Sequence, residues 1–145
     1  MKSVTLDRPA LPVLYTCDIA VVGGSLAGVG AALALARAGR SVVLVEPRTY
    51  LARDVFAPLR PWLPVAPGTD LGLLPEPLPA CIEASRTTPE AGEVALYPDG
   101  VKIRLEDMLL AAGVQLLYAS VPVGMVAPGG NLAGVIVANK SGSIS

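Results

Sequence analysis

Gly23, Gly24, Ser25, Leu26, Ala27 and Gly28 form a small-residue cluster, and Glu46 stands eighteen positions beyond its last glycine. A glycine turn lets backbone N–H groups approach an anion closely, and the N-terminus of a following helix adds the positive end of its dipole. A carboxylate about twenty residues on is placed to accept hydrogen bonds from ribose hydroxyls. Together these residue types predict a dinucleotide, with its pyrophosphate at residues 23–28 and its ribose at Glu46. Gly23 permits the tight turn, and Gly28 permits close packing of helix on sheet. Ser25 replaces the middle glycine of GxGxxG; it moves the backbone slightly off the pyrophosphate, yet its hydroxyl can bond a phosphate oxygen or cap the helix. An acid at position 46 repels a 2′-phosphate, so NADP is the least suited ligand.

The elements that must position these residues are written on either side. Ile19 to Val22 lacks polar alternation, which predicts a parallel strand covered on both faces. Leu26 to Ala38 is rich in alanine and leucine, a slim helix of high propensity, and Gly39 ends it. Val42 to Val45 is the second strand, closed by Glu46. Strand, glycine turn, helix, strand and terminal acid make a βαβ unit, a far stronger signal than the glycines alone. The plainer alternative is a βα turn that holds no nucleotide, and spacing by itself does not separate FAD from NAD.

Composition narrows the function further. The 145 residues suit one domain, with 52% hydrophobic residues and a net charge of −1. No apolar run spans a bilayer and no basic patch forms, so neither membrane nor nucleic acid is an expected partner. The N-terminal stretch carries Asp7, Arg8 and two prolines where a signal peptide needs an uninterrupted apolar core, which predicts a cytoplasmic protein. Cys17 and Cys81 lack CxxC spacing and read as buried thiols. Histidine is absent, which removes Ser/His/Asp and Cys/His nucleophile systems and histidine metal sites; no metal site is expected.

Residues 1–16 read as an extended arm and 17–145 as the nucleotide-binding unit. Between Pro58 and Pro79 seven prolines fall in twenty-two residues; this predicts an extended surface excursion with neither regular helix nor central strand. Its Trp62 is more readily a packing residue than a flavin or substrate contact. Ala80 to Ser85 suits a short helix and Glu93 to Tyr97 a strand. Pro98-Asp99-Gly100 suits a turn, followed by an amphipathic helix from Val101 to Ala112 with Val101, Leu105, Met108, Leu109 and Ala112 inward. Val114 to Tyr118 reads as a third buried parallel strand. Val121 to Val126, the turn Pro128 to Asn131, and Leu132 to Ala138 make a hairpin.

The sequence from Tyr15 to Pro64, with GGSLAG, ALARAGRSVVLVEPRTYL and LRPWLP, resembles the N-terminal FAD-binding portion of FAD-dependent oxidoreductases of the glutathione-reductase-like class. The resemblance continues through LEDMLLAAGVQLLYASVPVGMV and GNLAGVIVANKSG. It implies an α/β fold: a Rossmann-like βαβ FAD-binding domain with a parallel sheet and a β-meander over residues 114–139. It implies FAD, held at residues 23–28, at Glu46, and by the loop Pro47-Arg48 onward. Arg48 could offset the pyrophosphate charge, and Arg53 could bond a phosphate or lie in solvent. Family members often carry glycines where this chain has Ala52 and Arg53. The strand entering the meander gives backbone hydrogen bonds to adenine; Pro122 has no N–H, which moves that contact to Val121 or Val123.

The resemblance thus implies the FAD-binding component of a flavin-dependent oxidoreductase acting on an unidentified small molecule. No catalytic residue is nominated, because hydride passes to the flavin itself. The alternatives are a non-catalytic nucleotide-binding or scaffold subunit and an NAD-dependent dehydrogenase fragment. Family members continue with a strand that returns beside the first, and the sequence here shows none. The expectation is an incomplete fold finished by a second polypeptide, a separate subunit or a cleavage product, with simple truncation as the alternative.

Overall fold

The computed structural model describes residues 11–86, 92–140 and 142–144. The first ten residues of the expected arm lie outside that set, as do 87–91, Ser141 and Ser145. The glycine turn connects strand β1 (Ile19–Val22) to helix α1 (Leu26–Arg37), which leads to β2 (Val42–Val45). A short helix α2 (Arg53–Phe56) and strand β3 (Trp62–Pro64) follow, then α3 (Leu78–Ser85), β4 (Glu93–Ala95) and α4 (Pro98–Ala111). Strands β5 (Gln115–Leu117), β6 (Val121–Val126), β7 (Gly134–Asn139) and β8 (Gly142–Ile144) complete the order.

The chain is an α/β protein with a parallel sheet in the order β1-β2-β5. Ile19 pairs with Val42 and Val22 with Val45, while Val43 to Val45 pair with Gln115 to Leu117. The central strand β2 is buried throughout, which accounts for its unbroken run of valine and leucine. On one face Val42 and Leu44 join Val29, Ala32 and Leu33 of α1 and Val101, Leu105 and Leu109 of α4 in the main core. On the other, Val43 and Val45 meet Val137 of the antiparallel sheet β6-β7-β8, the expected meander. Strands β3 and β4 pair separately as an antiparallel two-stranded sheet.

Two expectations are corrected and a third is extended; the third parallel strand, expected to be buried, is also only partly so, with Gln115 of β5 exposed at the sheet edge. Strand β1 is not covered on both faces: Ile19 and Val21 are half-buried, but Ala20 and Val22 are exposed, because the meander covers β2 and leaves the edge strand open. The sequence Pro98-Asp99-Gly100 is not a turn but the first turn of α4. Proline suits that place, since its missing N–H would have no helical partner and its fixed φ matches the helix. The proline-rich excursion lies on the surface as expected, yet it also closes the core: Val65 and Pro77 are buried, and Leu63, Leu71 and Leu74 pack on the main cluster. It carries no α-helix before Leu78, only a single 3₁₀ turn at Leu71–Leu73 and the short strand β3. Trp62 is half-exposed on that strand, paired with Ala95.

The excursion is fastened across α1. Gly30 has no side chain where the carbonyl of Glu76 comes against the helix; a Cβ there would lie 2.7 Å from that oxygen. The Glu76 carboxylate meets Arg37 at 2.8 Å. At the opposite end of β1 a second clasp aligns the sheet. The Asp18 N–H donates to Ser41 Oγ at 2.8 Å, while the Ser41 N–H and hydroxyl both donate to Asp18 Oδ2 at 2.8 Å.

The Ser41 backbone N–H, and then its hydroxyl, hold the Asp18 carboxyl below its ordinary value of 3.8. A depressed folded-state value means that the clasp contributes its full stability above the ordinary value and loses it as pH falls through the folded one. Asp18→Asn should therefore lower the melting temperature at pH 6, and the difference from wild type should shrink below about pH 4. Thermal unfolding across pH 2 to 7 checks the trend, and a gap that widened in acid would contradict it.

Candidate functional site

Residues 23–28 form a turn whose geometry depends on having no side chain at two points. Gly23 adopts φ +105°, a conformation that favours glycine, and its N–H extends the sheet by donating to the Val45 carbonyl at 2.8 Å. Gly28 faces the Gly23 carbonyl so closely that any Cβ would overlap the backbone oxygen. Glycine at 28 is thus required by the turn folding back on itself, a more local reason than packing of helix on sheet. Ser25 is the N-cap of α1, its Oγ accepting from the Gly28 N–H at 3.1 Å. The replacement of the middle glycine therefore supplies a cap. Leu26 and Ala27 open the helix; the Ala27 N–H has no acceptor among the described residues, as expected of a first-turn donor.

Glu46 is only 3% exposed at the end of β2. Its Oε2 accepts from the Gly24 N–H at 2.6 Å and its Oε1 from the Arg48 N–H at 2.8 Å. The acid predicted to face a ribose also ties the glycine turn to the loop that begins at Pro47. That second role has no signature in a single sequence, since twenty-two residues separate the bonded partners. The exit from β5 runs alongside: the Ala119 N–H donates to the Arg48 carbonyl at 3.0 Å and the Ser120 N–H to the Glu46 carbonyl at 3.2 Å. Val121, the next residue, and Val123 both lie exposed on β6. Between Pro122 and Gly124 the register with β7 shifts, so Val123 is the extra residue of a β-bulge.

The loop after Glu46 returns to the turn. Ala52 is fully buried in the left-handed conformation, φ 57°, and its N–H donates to the Gly24 carbonyl at 2.7 Å. A left-handed backbone at this point is the physical reason that glycine suits it. Leu51 packs so near that a Cβ on Gly24 would lie 2.6 Å from its Cδ2. Lys102 of α4 holds the same loop from behind, its ammonium 4.7 Å from the Tyr50 ring centre and 5.5 Å from that of Phe56. Arg48 and Arg53 are exposed and without an ion-pair partner among the described residues, and Pro47 is half-buried. Asp54, which the sequence reading gave no role, accepts from the Leu26 N–H with Oδ1 at 3.2 Å and Oδ2 at 3.3 Å.

The remaining reactive groups are poorly suited to covalent chemistry. Burial, with a smaller contribution from Asp54, pushes the Cys81 thiol up to about 11, so it stays protonated near neutrality. Cys81 is buried as expected, whereas Cys17 is only partly covered. Burial, and then the hydrogen bond to Glu106, raises the Tyr118 phenol well above its ordinary value. Among the described residues no three His, Cys, Asp or Glu side chains converge as a metal site, and no helix is long and apolar enough to cross a membrane.

A parallel sheet, a glycine turn opening a helix, and a buried acid at the tip of the next strand define the Rossmann class of dinucleotide-binding folds. Residues 18–52 match the sequence model of the family described as FAD dependent oxidoreductase. No curated protein matches by sequence. The fold is similar to that of 3-ketosteroid-delta4-(5alpha)-dehydrogenase from Rhodococcus jostii, with TM-score 0.60 and 14% identity over 93% of this chain and 46% of that one. It is also similar to glycine oxidase from Bacillus cereus, with TM-score 0.59 and 13% identity over 90% and 53%. THI4 of Thermovibrio ammonificans gives TM-score 0.55 and 16% identity over 83% and 46%. The chain therefore spans about half the length of these structures. The cradle that Gly23, Gly28 and the α1 N-terminus form fits a pyrophosphate, and the match over residues 18–52 supports FAD as the cofactor.

Gly28→Val should abolish nucleotide binding, because even the first carbon of its side chain meets the Gly23 carbonyl. Ser25→Gly should be nearly silent, costing only a few tenths of a kcal/mol, since glycine is itself a tolerated N-cap. Glu46→Gln presents a donor to one of two N–H groups that need an acceptor, and should weaken both fold and binding by roughly 1–3 kcal/mol. Thermal unfolding with FAD titration checks all three; a damaging Ser25→Gly beside an intact Gly28→Val would displace the phosphate from this turn.

Proposed function

We propose that the chain is the FAD-holding component of a flavin-dependent oxidoreductase whose flavin accepts hydride from a small-molecule substrate. The observation that carries this is the Gly23–Gly28 turn tied by the Gly24 N–H to the buried Glu46 carboxylate, within the segment that matches the family. Bound FAD supplies the redox chemistry on its isoalloxazine ring. The chain's own residues bind and orient it. The α1 N-terminus receives the pyrophosphate, and the Ser25 hydroxyl stands beside it. A carboxylate has about four lone-pair positions; Glu46 commits one oxygen each to Gly24 and Arg48, and keeps acceptor capacity for ribose hydroxyls. Arg48 and Arg53 bring positive charge to the loop bordering the turn. Adenine lies against the start of β6, where the bulge frees the Val123 backbone from the ladder and Val121 adjoins the Glu46 carbonyl.

We also propose that a further polypeptide completes the site. Three features support it. Among the described residues β1 pairs only with β2, leaving one edge of the parallel sheet open. An apolar cleft of about 300 Å³ opens between that sheet and the meander, lined by Ala20, Val45, Leu117, Val126 and Val135 and bordered by the chain's own residues 13–17. Val22 of β1, and Val121, Val123, Met125 and Leu132 of the meander, are exposed apolar residues.

The absorption spectrum of the protein, purified with any natural partner, should show bound flavin, released as FAD on denaturation. Colourless material that takes up no added FAD overturns the reading, and uptake of NAD alone would favour a nicotinamide-dependent dehydrogenase. Sizing of the native material should find the chain in a larger assembly; a monodisperse, FAD-loaded monomer would overturn the completing polypeptide.

A further inference from the structure

Asp54 occupies the place where the dinucleotide's central charge must go. Its carboxylate lies across the first N–H of α1, with both oxygens on Leu26 at 3.2 and 3.3 Å. The N–H of Gly28 is already taken by Ser25, and that of Gly24 by Glu46. Leu26 and Ala27 therefore present the first-turn donors left for a phosphate, and one of them holds an internal anion. A carboxylate at a helix N-terminus is favoured by the same dipole that favours a phosphate, so the two compete for one donor. Sharing the site would place two like charges in contact.

The contact is built to yield. Charge-assisted N–H to carboxylate bonds run near 2.7–2.9 Å, and both of these are longer. Asp54 is exposed, whereas the loop that carries it is anchored independently by the Ala52 N–H to Gly24 and by Lys102 against Tyr50 and Phe56. Its side chain can turn away without moving the loop.

Resting on the FAD reading above, we infer that Asp54 is an internal latch on the pyrophosphate site: its carboxylate caps Leu26 in the empty cradle and must be displaced by the incoming diphosphate. The latch lowers affinity for the cofactor and shields the cradle from other small anions.

The test titrates FAD, ADP and inorganic pyrophosphate into the flavin-free full-length chain, with any partner that copurifies, as wild type, Asp54→Asn, Asp54→Ala and Asp107→Asn. The last removes an equal charge from exposed α4 and controls for net charge. Both Asp54 variants should bind each ligand tighter by roughly 2- to 5-fold, the range expected when an exposed anion at a helix N-terminus is removed. The Leu26 amide resonance should shift in Asp54→Ala and again when pyrophosphate is added to wild type. If wild type takes FAD and the Asp54 variants bind it no tighter than Asp107→Asn does, the latch is overturned and the FAD reading stands. If no protein takes FAD while the Asp54 variants gain affinity for ADP and pyrophosphate, the latch stands and the FAD reading falls. If none of the four binds any of these anions, both fall.

Discussion

Glu46 joins three segments that the chain order keeps apart, two through its carboxylate and one through its backbone carbonyl. One oxygen fixes the Gly24 N–H in the turn after β1, the other fixes Arg48 at the start of the return loop, and the residue's own carbonyl accepts from Ser120 at the exit of β5. A nearly buried carboxylate is costly unless its hydrogen-bonding capacity is met, and here backbone donors meet much of it. The cost of burying the charge and the ordering of the loops are one interaction. Everything that borders the cradle, including the left-handed Ala52 against Gly24, is held in register with that carboxylate.

The βαβ frame was legible because each of its parts is local. An unbroken apolar run, glycines at fixed offsets and an alanine-rich helix announce themselves within a few residues. The third strand and the hairpin came through for the same reason, with boundaries shifted by one or two residues: Val114–Tyr118 became Gln115–Leu117 and Leu132–Ala138 became Gly134–Asn139. Non-local relations did not come through. The apolar character of Ile19 to Val22 reports a strand, but not which neighbours cover it, and the open face at Ala20 and Val22 follows from where the meander lands. Pro98 reads equally as a turn residue or a helical N1, and only the packing of Val101, Leu105 and Leu109 on the core decides it.

The site shows the same division. Gly23, Ser25, Gly28 and Glu46 could be picked out by type and spacing. Asp54 could not, since its significance lies in a contact with Leu26 across twenty-eight residues. Arg48 and Arg53 are placed at the rim of the turn, and no ion pair among the described residues fixes them. Long exposed side chains take their direction from a partner, and a sequence does not contain it. The proline-rich excursion shows the converse: its prolines correctly exclude long helix, while its buried Val65 and Pro77 belong to a core that local pattern does not reveal.

The bond between Glu46 and Gly24 has a consequence for how the cradle comes into being. The turn after β1 cannot take its final shape until β2 has paired beside it and brought the carboxylate within reach. Residues 18–30, cut out as a peptide, would keep every glycine of the motif and lose the turn's shape, because Glu46 and Ala52, which hold Gly24 in place, reside elsewhere in the chain. The shape of the cradle is thus a late product of folding, belonging to the paired sheet rather than to the glycines.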